Sequence, residues 1–307
     1  MNVFKNTLEL FEKFKPTPLV KLQSLSGENR EIFAKLEFFN PFSRSIKDRA
    51  VFNMLMKAKQ RGEINGRNKL FEATSGNVGI AIAALSNIMG AKFRAYLPKP
   101  TPKTTEVLLK VLGAEVVRTD FETIDPEVIA FVRREAEKEY AINLNQFEND
   151  DNFEAHYKYT AKEIDEQLKS IGKKPDVIMA GSGTSGHIGG LSKYFKEKYK
   201  DVKVIGVVPA KGEKIPGIKR PETRPKWFFQ VEIDDVVEVT QREAVKGVFE
   251  IARNEGILIG LSSGAVVKAF ERIKNKYEGT YVLIFPDDGF KYVEVFETYL
   301  QGGHEIC

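Results

Sequence analysis

The sequence predicts an α/β protein of two lobes, each a mostly parallel sheet covered by helices. Three observations carry that expectation. Short β-rich runs alternate with helical periodicity along all 307 residues, which is how a parallel sheet covered on both faces reads. Glycine- and serine-rich turns stand where apolar runs give way to helical ones, at 72–81, 181–190 and 260–265. The alternation slackens over 141–152 and divides the chain near residue 145 into lobes 1–145 and 146–307, with residues 1–35 able to pack on the other lobe. No internal repeat is visible.

The elements follow in order. "IFAKLEF" (32–38) reads as a strand. "SIKDRAVFNMLMKAKQRG" (45–62) reads as a helix, with Val51, Met54, Leu55 and Ala58 on one face and Gly62 past its end. "KLFEAT" then leads into "SGNVGIAIAALSNIMG" (75–90), a helix with a glycine-rich opening. "AKFRAYLP", "KTTEVLLKVLG", "AEVVRT" and "DPEVIAFVRREAEKEY" continue the alternation, with Asp125–Pro126 as a good helix start. Residues 152–172, "NFEAHYKYTAKEIDEQLKSIG", read as one helix. "PDVIMAGSGTSGHIGGLSKYFKEKY" and "VKVIGVVPA" form a β–loop–α–β unit. "EAVKGVFEIARNEG", "SSGAVVKAFERIKNKY" and "TYVLIFP" close the chain.

Composition narrows the function. The chain is 42% hydrophobic and 29% charged, as in ordinary globular proteins. No apolar run approaches the roughly 18 residues of a membrane span, and the start "MNVFKNTLELFEKFK" carries acidic residues and no cleavage site, so no signal peptide is expected. Cys307 is the only cysteine, which excludes intramolecular disulfides and cysteine-based metal sites and fits a cytoplasmic location. The formal net charge of +4 is concentrated in "KGEKIPGIKRPETRPK" (211–226), six cations against two glutamates. This is one anion-attracting loop, without the broad basic face of a nucleic-acid binder.

The glycine turns carry the candidate chemistry. Gly181, Gly183 and Gly186 satisfy the dinucleotide fingerprint G-x-G-x-x-G, but the following strand ends in Pro209–Ala210–Lys211 and lacks the acid that would hold a ribose. What remains is a helix N-terminus offering amide N–H groups to a phosphate, with the hydroxyls of Thr184 and Ser185. In "EATSGNVGIA", Thr74, Ser75, Gly76 and Asn77 suit a carboxylate, while a plain N-cap by Ser75 or Asn77 weighs equally on local grounds. "GLSSGA" alone reads as a cap; three such loops at strand ends point to a ligand edge. Lys47 stands in "NPFSRSIKDR" beside Arg44 and Arg49. An unperturbed lysine is neutral in only roughly one molecule in 2,500 at pH 7, so its local reading is a solvated helix face.

In this order, "NPFSRSIKDR", "ATSGNVG", "GSGTSGHIGG" and "GLSSGA" resemble the β-family of pyridoxal-phosphate enzymes (fold type II), among them the cysteine synthases and cystathionine β-synthase. "PTPLVKL" (16–22), "NQFENDDNFEAHYKYTAKEI" (145–164) and "PDDGFKY" (286–292) extend the likeness over nearly the whole chain. The resemblance implies a tryptophan synthase β-subunit-like fold with the active site in a cleft, pyridoxal 5′-phosphate as cofactor, and a homodimer. It implies that Lys47 carries the cofactor and acts as base on the substrate α-proton. Asn77 lies against the cofactor 3′-oxygen; Thr74, Ser75, Gly76 and Asn77 bind the amino-acid carboxylate, and Gln146 is among the substrate-binding residues. Gly183, Thr184, Ser185, Gly186 and His187 cradle the phosphate, and Ser262 faces the pyridine nitrogen. A neutral serine there leaves the ring a weaker electron sink, which suits β-elimination better than transamination. The implied reaction replaces the activated side-chain oxygen of a serine by sulfide.

The chain departs from the family pattern at two places. His187 stands where sulfhydrylases have threonine; it could donate to the phosphate, or be a partly buried histidine at a helix start. "IPGIKRPE" (215–222) puts Lys219 and Arg220 where O-acetylserine enzymes tend to have small residues. Paired cations suit the anionic leaving group of O-phosphoserine. Cystathionine β-synthase-like or serine/threonine dehydratase-like activity shares the same lysine, asparagine and glycine residues. A nicotinamide-dependent oxidoreductase and a binding protein without turnover are the rivals from other classes. No haem-binding extension or regulatory module is expected from the sequence, and the tail "QGGHEIC" carries Cys307.

Overall fold

The computed structural model describes residues 3–64 and 69–302; the end of the tail, with Cys307, lies outside the described residues. In chain order the elements are α1 (Thr7–Lys13), β1 (Leu19–Lys21), β2 (Arg30–Leu36), α2 (Lys47–Gln60), β3 (Lys69–Ala73), α3 (Asn77–Met89), β4 (Lys92–Leu97), α4 (Lys103–Val111), β5 (Glu115–Arg118), α5 (Pro126–Lys138) and β6 (Ile142–Asn143). Then come α6 (Asp150–Ala155), α7 (Ala161–Ser170), β7 (Val177–Gly181), α8 (Gly186–Lys198), β8 (Lys203–Pro209), β9 (Asp235–Val239), α9 (Gln241–Glu255), α10 (Leu261–Ile273), β10 (Gly279–Phe285) and α11 (Val293–Gln301). The chain forms two compact units, residues 1–15 with 40–152 and residues 16–39 with 153–307. Among the described residues no helix is long and apolar enough to cross a membrane.

The first unit holds a four-stranded sheet in the order β5-β4-β3-β6, parallel throughout. Its strands bury side chains on both faces, as parallel strands do. Leu70, Phe93 and Ala95 join a core with Val51, Met54, Leu55 and Ala58 of α2 and Ile82 and Leu85 of α3. Phe71, Ala73 and Tyr96 form a second core with Val128 and Val132 of α5. The helix face read from residues 51–58 is therefore the buried one. Asp125 caps α5 by accepting from the N–H groups of Glu127 (2.9 Å) and Val128 (3.1 Å), with Pro126 in the first turn.

The second unit holds a six-stranded sheet, β1-β2-β10-β7-β8-β9, in which only β1 runs antiparallel to its neighbour. Strand β2 pairs with β10 over seven residues, from Arg30 opposite Gly279 to Leu36 opposite Phe285, so an early stretch of chain completes a late sheet. A buried charge fixes the same stretch. Lys35 is fully buried, and its Nζ donates to Glu163 (2.5 Å), Gln167 (2.7 Å) and the Thr17 carbonyl (2.7 Å), which ties β2 to α7. Helices α9 and α10 pack through Gly247 and Gly264, each lying against the other helix's backbone.

One expectation needs correction. Residues 152–172 do not form a single regular helix: α6 and α7 are joined by a π-helical turn at His156–Thr160. That turn lies against Gly190 of α8, where a Cβ would come within 2.7 Å of the Tyr157 nitrogen and 2.9 Å of the Phe153 carbonyl. Backbone packs on backbone here, and the widened turn follows the glycine.

Breaking a buried pair from one side leaves an uncompensated charge, which costs about 3–5 kcal/mol. Glu163→Ala is expected to lower stability in urea by that order. The double replacement Lys35→Met with Glu163→Leu, which removes both charges, is expected to recover most of it.

Candidate active site

In the first unit the turn before α2 is built around a buried carboxylate. Asp48 accepts from the N–H groups of Phe42 (2.7 Å) and Ser43 (2.8 Å) and from the Ser43 hydroxyl. Ser43 Oγ is 2.7 Å from Ser45 Oγ, which in turn accepts from the Lys47 N–H (3.1 Å). Lys47 thus opens α2, half-buried, on a turn whose polar groups are internally bonded. Burial pushes the Asp48 carboxyl up to about 6, against the lowering effect of the Ser43 and Phe42 hydrogen bonds. Arg44 is exposed with φ +52°, while Arg49 is buried.

The 74–77 loop joins β3 to α3. Thr74 is buried, and its Oγ1 accepts from Gly79 N–H (3.0 Å) and Gly76 N–H (3.3 Å). Thr74 thus bonds the amide of Gly76, the N-cap residue of α3, and that of Gly79 in its first turn. This commits the Thr74 hydroxyl to the loop. Ser75 is exposed, and Gly76 and Asn77 are half-buried. Gln146 belongs to the same unit: its Nε2 donates to the carbonyl of Ala73 (3.2 Å), directly before Thr74. Beside it Glu72, also buried, accepts from the N–H groups of Asn145 (3.0 Å) and Gln146 (3.3 Å). Burial raises the Glu72 carboxyl to about 8 despite those two bonds. The sequence reading passed over Glu72, although it directly precedes the "ATSGNVG" motif.

In the second unit the glycine loop runs from β7 into α8. Ser185 adopts φ +66° before the first turn, and Gly186 N–H lies 3.4 Å from Thr184 Oγ1. Residues 215–227 are seated on this loop. Lys219 N–H donates to the Ser182 carbonyl (2.6 Å), and Trp227 N–H donates to Ser185 Oγ (3.1 Å). A Cβ on Gly183 would stand 2.5 Å from the Gly217 carbonyl oxygen, and one on Gly217 (φ +88°) would stand 3.8 Å from Ser262 Oγ. Gly217 thus brings the glycine loop and the start of α10, with Ser262, together. His187 is buried with its ring edge-on to His156, 5.9 Å between centroids, and His156 Nδ1 pairs with Thr160 Oγ1 at 3.0 Å.

Lys219 and Arg220 part company. Lys219 is half-buried with its backbone held on the glycine loop. Arg220 spends its guanidinium on Glu222 (2.8 and 3.1 Å), Glu238 (2.8 Å) and the Pro209 carbonyl (2.8 Å). Two carboxylates already neutralise it, so the expectation that Arg220 meets an anionic leaving group does not fit this geometry.

A glycine loop at a helix N-terminus in one α/β unit and a lysine opening a helix in the other agree with the fold type II, phosphate-cofactor class that the resemblance implies. The sequence matches the family described as "Pyridoxal-phosphate dependent enzyme" over residues 10–287, and the chain belongs to that family. It is 35% identical over 281 residues to cysteine synthase B of Escherichia coli (strain K12), covering 90% of this chain and 91% of that protein. To cysteine synthase B of Pseudomonas aeruginosa it is 37% identical over 285 residues, covering 90% and 93%. Among solved structures it is similar to O-ureido-L-serine synthase, with TM-score 0.89 and 27% identity over 99% of this chain and 97% of that one. The nicotinamide reading of Gly181–Gly186 is overturned by this family membership.

The cofactor is pyridoxal 5′-phosphate, and the second unit fits it. Ser182 Oγ and Ser263 Oγ are buried without hydrogen-bond partners, and such orphaned hydroxyls call for an acceptor or donor. The sequence reading missed both, though each adjoins a residue it chose. Gly183 has no side chain because the Gly217 carbonyl occupies the place of its Cβ, so the backbone there stays uncovered by any side chain of its own.

Gly183→Ala drives a methyl into the Gly217 carbonyl. It is expected to raise the cofactor dissociation constant about tenfold or more, read by equilibrium dialysis, with the far-UV circular dichroism unchanged. A second expectation concerns pH. Because the folded Glu72 pKa is raised from 4.5 to about 8, its contribution favours folding below about pH 4.5 and is lost as pH rises through about 8. Glu72→Gln removes that dependence; Asp48, raised less, stays in both proteins. Denaturant unfolding at pH 5 and pH 8 is expected to show a larger loss for the wild type than for the variant.

Proposed function

We propose that the chain is a cysteine synthase-type enzyme that replaces the β-oxygen of an O-activated L-serine by sulfide to give L-cysteine. The observation that carries this reading is the pairing of the glycine loop with Ser262 through Gly217: a phosphate site next to a neutral hydroxyl, where a carboxylate would favour transamination. The names of its relatives and of its structural neighbour support it. Bound at such a site, the cofactor would supply an aldehyde carbon for the substrate amine and an electron-accepting ring next to Cα. Lys47 holds the cofactor through Nζ and takes the α-proton there. Asn77 orients the cofactor's 3′-oxygen. The N–H groups and side chains of Ser75 to Asn77 bind the substrate carboxylate with Gln146; Thr74 serves by keeping that loop shaped. The amides and hydroxyls of residues 183–186 hold the phosphate, with His187 as a further donor.

The finer form of the reading is a cytoplasmic homodimer that prefers O-phosphoserine, with Lys219 meeting the leaving phosphate. Lys47→Ala is expected to abolish cysteine formation and the borohydride-stable attachment of the cofactor. Lys219→Ala is expected to raise KM for O-phosphoserine about tenfold and to leave KM for O-acetylserine nearly unchanged, both measured by cysteine release with sulfide. Equal losses on the two substrates would remove the phosphate preference and leave the reaction class standing.

A further inference from the structure

We propose that Glu72 is a positioning residue for the substrate carboxylate: it holds the main chain of Asn145 and Gln146 and so sets where the Gln146 side chain stands beside the 74–77 loop. The proposal rests on the functional reading above and names a residue that the reading does not use.

Glu72 sits one residue from the end of β3, 2% exposed, with both neighbours buried. A buried carboxyl is costly unless it is hydrogen-bonded, so its bonds indicate what keeps it there. Its two oxygens divide their work: Oε2 accepts from Asn145 N–H (3.0 Å) and lies 3.4 Å from Asn143 Nδ2, and Oε1 accepts from Gln146 N–H (3.3 Å). Strand β6, to which the segment is attached, is only two residues long. It pairs with β3 at Leu70 and Phe71 and stops there, so beyond Asn143 the ladder no longer holds the chain. Glu72 continues the attachment by side chain for two more residues.

The held segment turns sharply. Asn145 has φ +51°, a left-handed conformation that asparagine adopts more readily than most side chains. It makes the sharp bend after which Gln146 turns back toward β3. Gln146 is then fixed at three points: its N–H on Glu72, its carbonyl on Asn152 Nδ2 (2.8 Å), and its Nε2 on the Ala73 carbonyl (3.2 Å). Ala73 lies between Glu72 and Thr74, so one stretch of β3 carries the carboxyl, the acceptor for Gln146 and the start of the candidate carboxylate loop. Without Glu72 the bend keeps the bonds that the Asn145 carbonyl accepts from the N–H groups of Glu148 (3.1 Å) and Asn149 (3.0 Å), but its own N–H loses its acceptor and Gln146 loses one of its three anchors.

The test uses the holoenzyme of the wild type, Glu72→Gln and Glu72→Asp. If Glu72 positions Gln146, Glu72→Gln raises KM for the activated serine about tenfold with a smaller change in kcat, and cofactor affinity and visible absorbance stay as in the wild type. Glu72→Asp, shorter but still a carboxyl, recovers part of the loss. In the apoprotein, hydrogen exchange of the Asn145 and Gln146 amides accelerates in Glu72→Gln. Wild-type KM together with unchanged amide protection overturns the proposal. So does a parallel fall of kcat, cofactor affinity and melting temperature, which would make Glu72 a structural residue only. If the wild type's visible band responds to no amino acid, the functional reading fails and takes this inference with it.

Discussion

The seating of residues 215–227 on the glycine loop is the constraint on which the shape of that loop, and with it the proposed phosphate site, depends. Its hydrogen bonds, Lys219 N–H to Ser182 and Trp227 N–H to Ser185, hold two stretches of backbone side by side. Gly181, Gly183 and Gly189 are small because Ile218, Gly217 and Trp227 lie against them. A conventional reading gives such glycines to the ligand alone. Here part of their work is to let one loop lie flat on another. The cation-rich stretch 211–226 is brought to the loop by the same contacts, although Arg220 is neutralised on the way.

The first unit relies on a different device, the buried carboxyl used as an internal acceptor. Asp48 gathers the amides before α2, and Glu72 gathers those after β6. Both carboxyls are pushed up by burial, and both sit within two residues of a candidate catalytic or binding group. Desolvation raises the cost of ionising them, while main-chain donors keep them in place. The result is two turns whose shape is fixed before any ligand arrives, which lowers the ordering cost of binding.

Periodicity made much of this legible. The buried face of α2, the start of α5 at Asp125 and the alternation of strands and helices all follow from local pattern. The resemblance then selected Lys47 from a run of cations that local reasoning left in solvent. What stayed hidden depended on residues distant in sequence. "IFAKLEF" announces a strand, but nothing in it says that its partner is β10, some 250 residues later. The π-helical turn lies against Gly190, which no window around His156 contains. Thr74 is tied to the start of α3 because the loop folds back to put Gly79 N–H on its hydroxyl. Arg220 looked available because only Glu222 of its two carboxylates is near it in the chain. Glu72 was passed over because a glutamate in a strand ordinarily faces water, whereas here the sheet buries both faces.

The chain contains a single tryptophan, and that indole lies fully buried behind the glycine loop, against Phe153 and Gly189. Emission excited at the red edge of the indole band, where the 10 tyrosines do not absorb, therefore arises from one place, a hydrogen bond away from the glycine loop. Its colour and lifetime report the polarity of that spot without any label, and energy passed to a bound pyridoxal chromophore has one donor and one acceptor. Occupancy of the cradle and loosening of residues 215–227 can then be followed as separate optical events in the native protein.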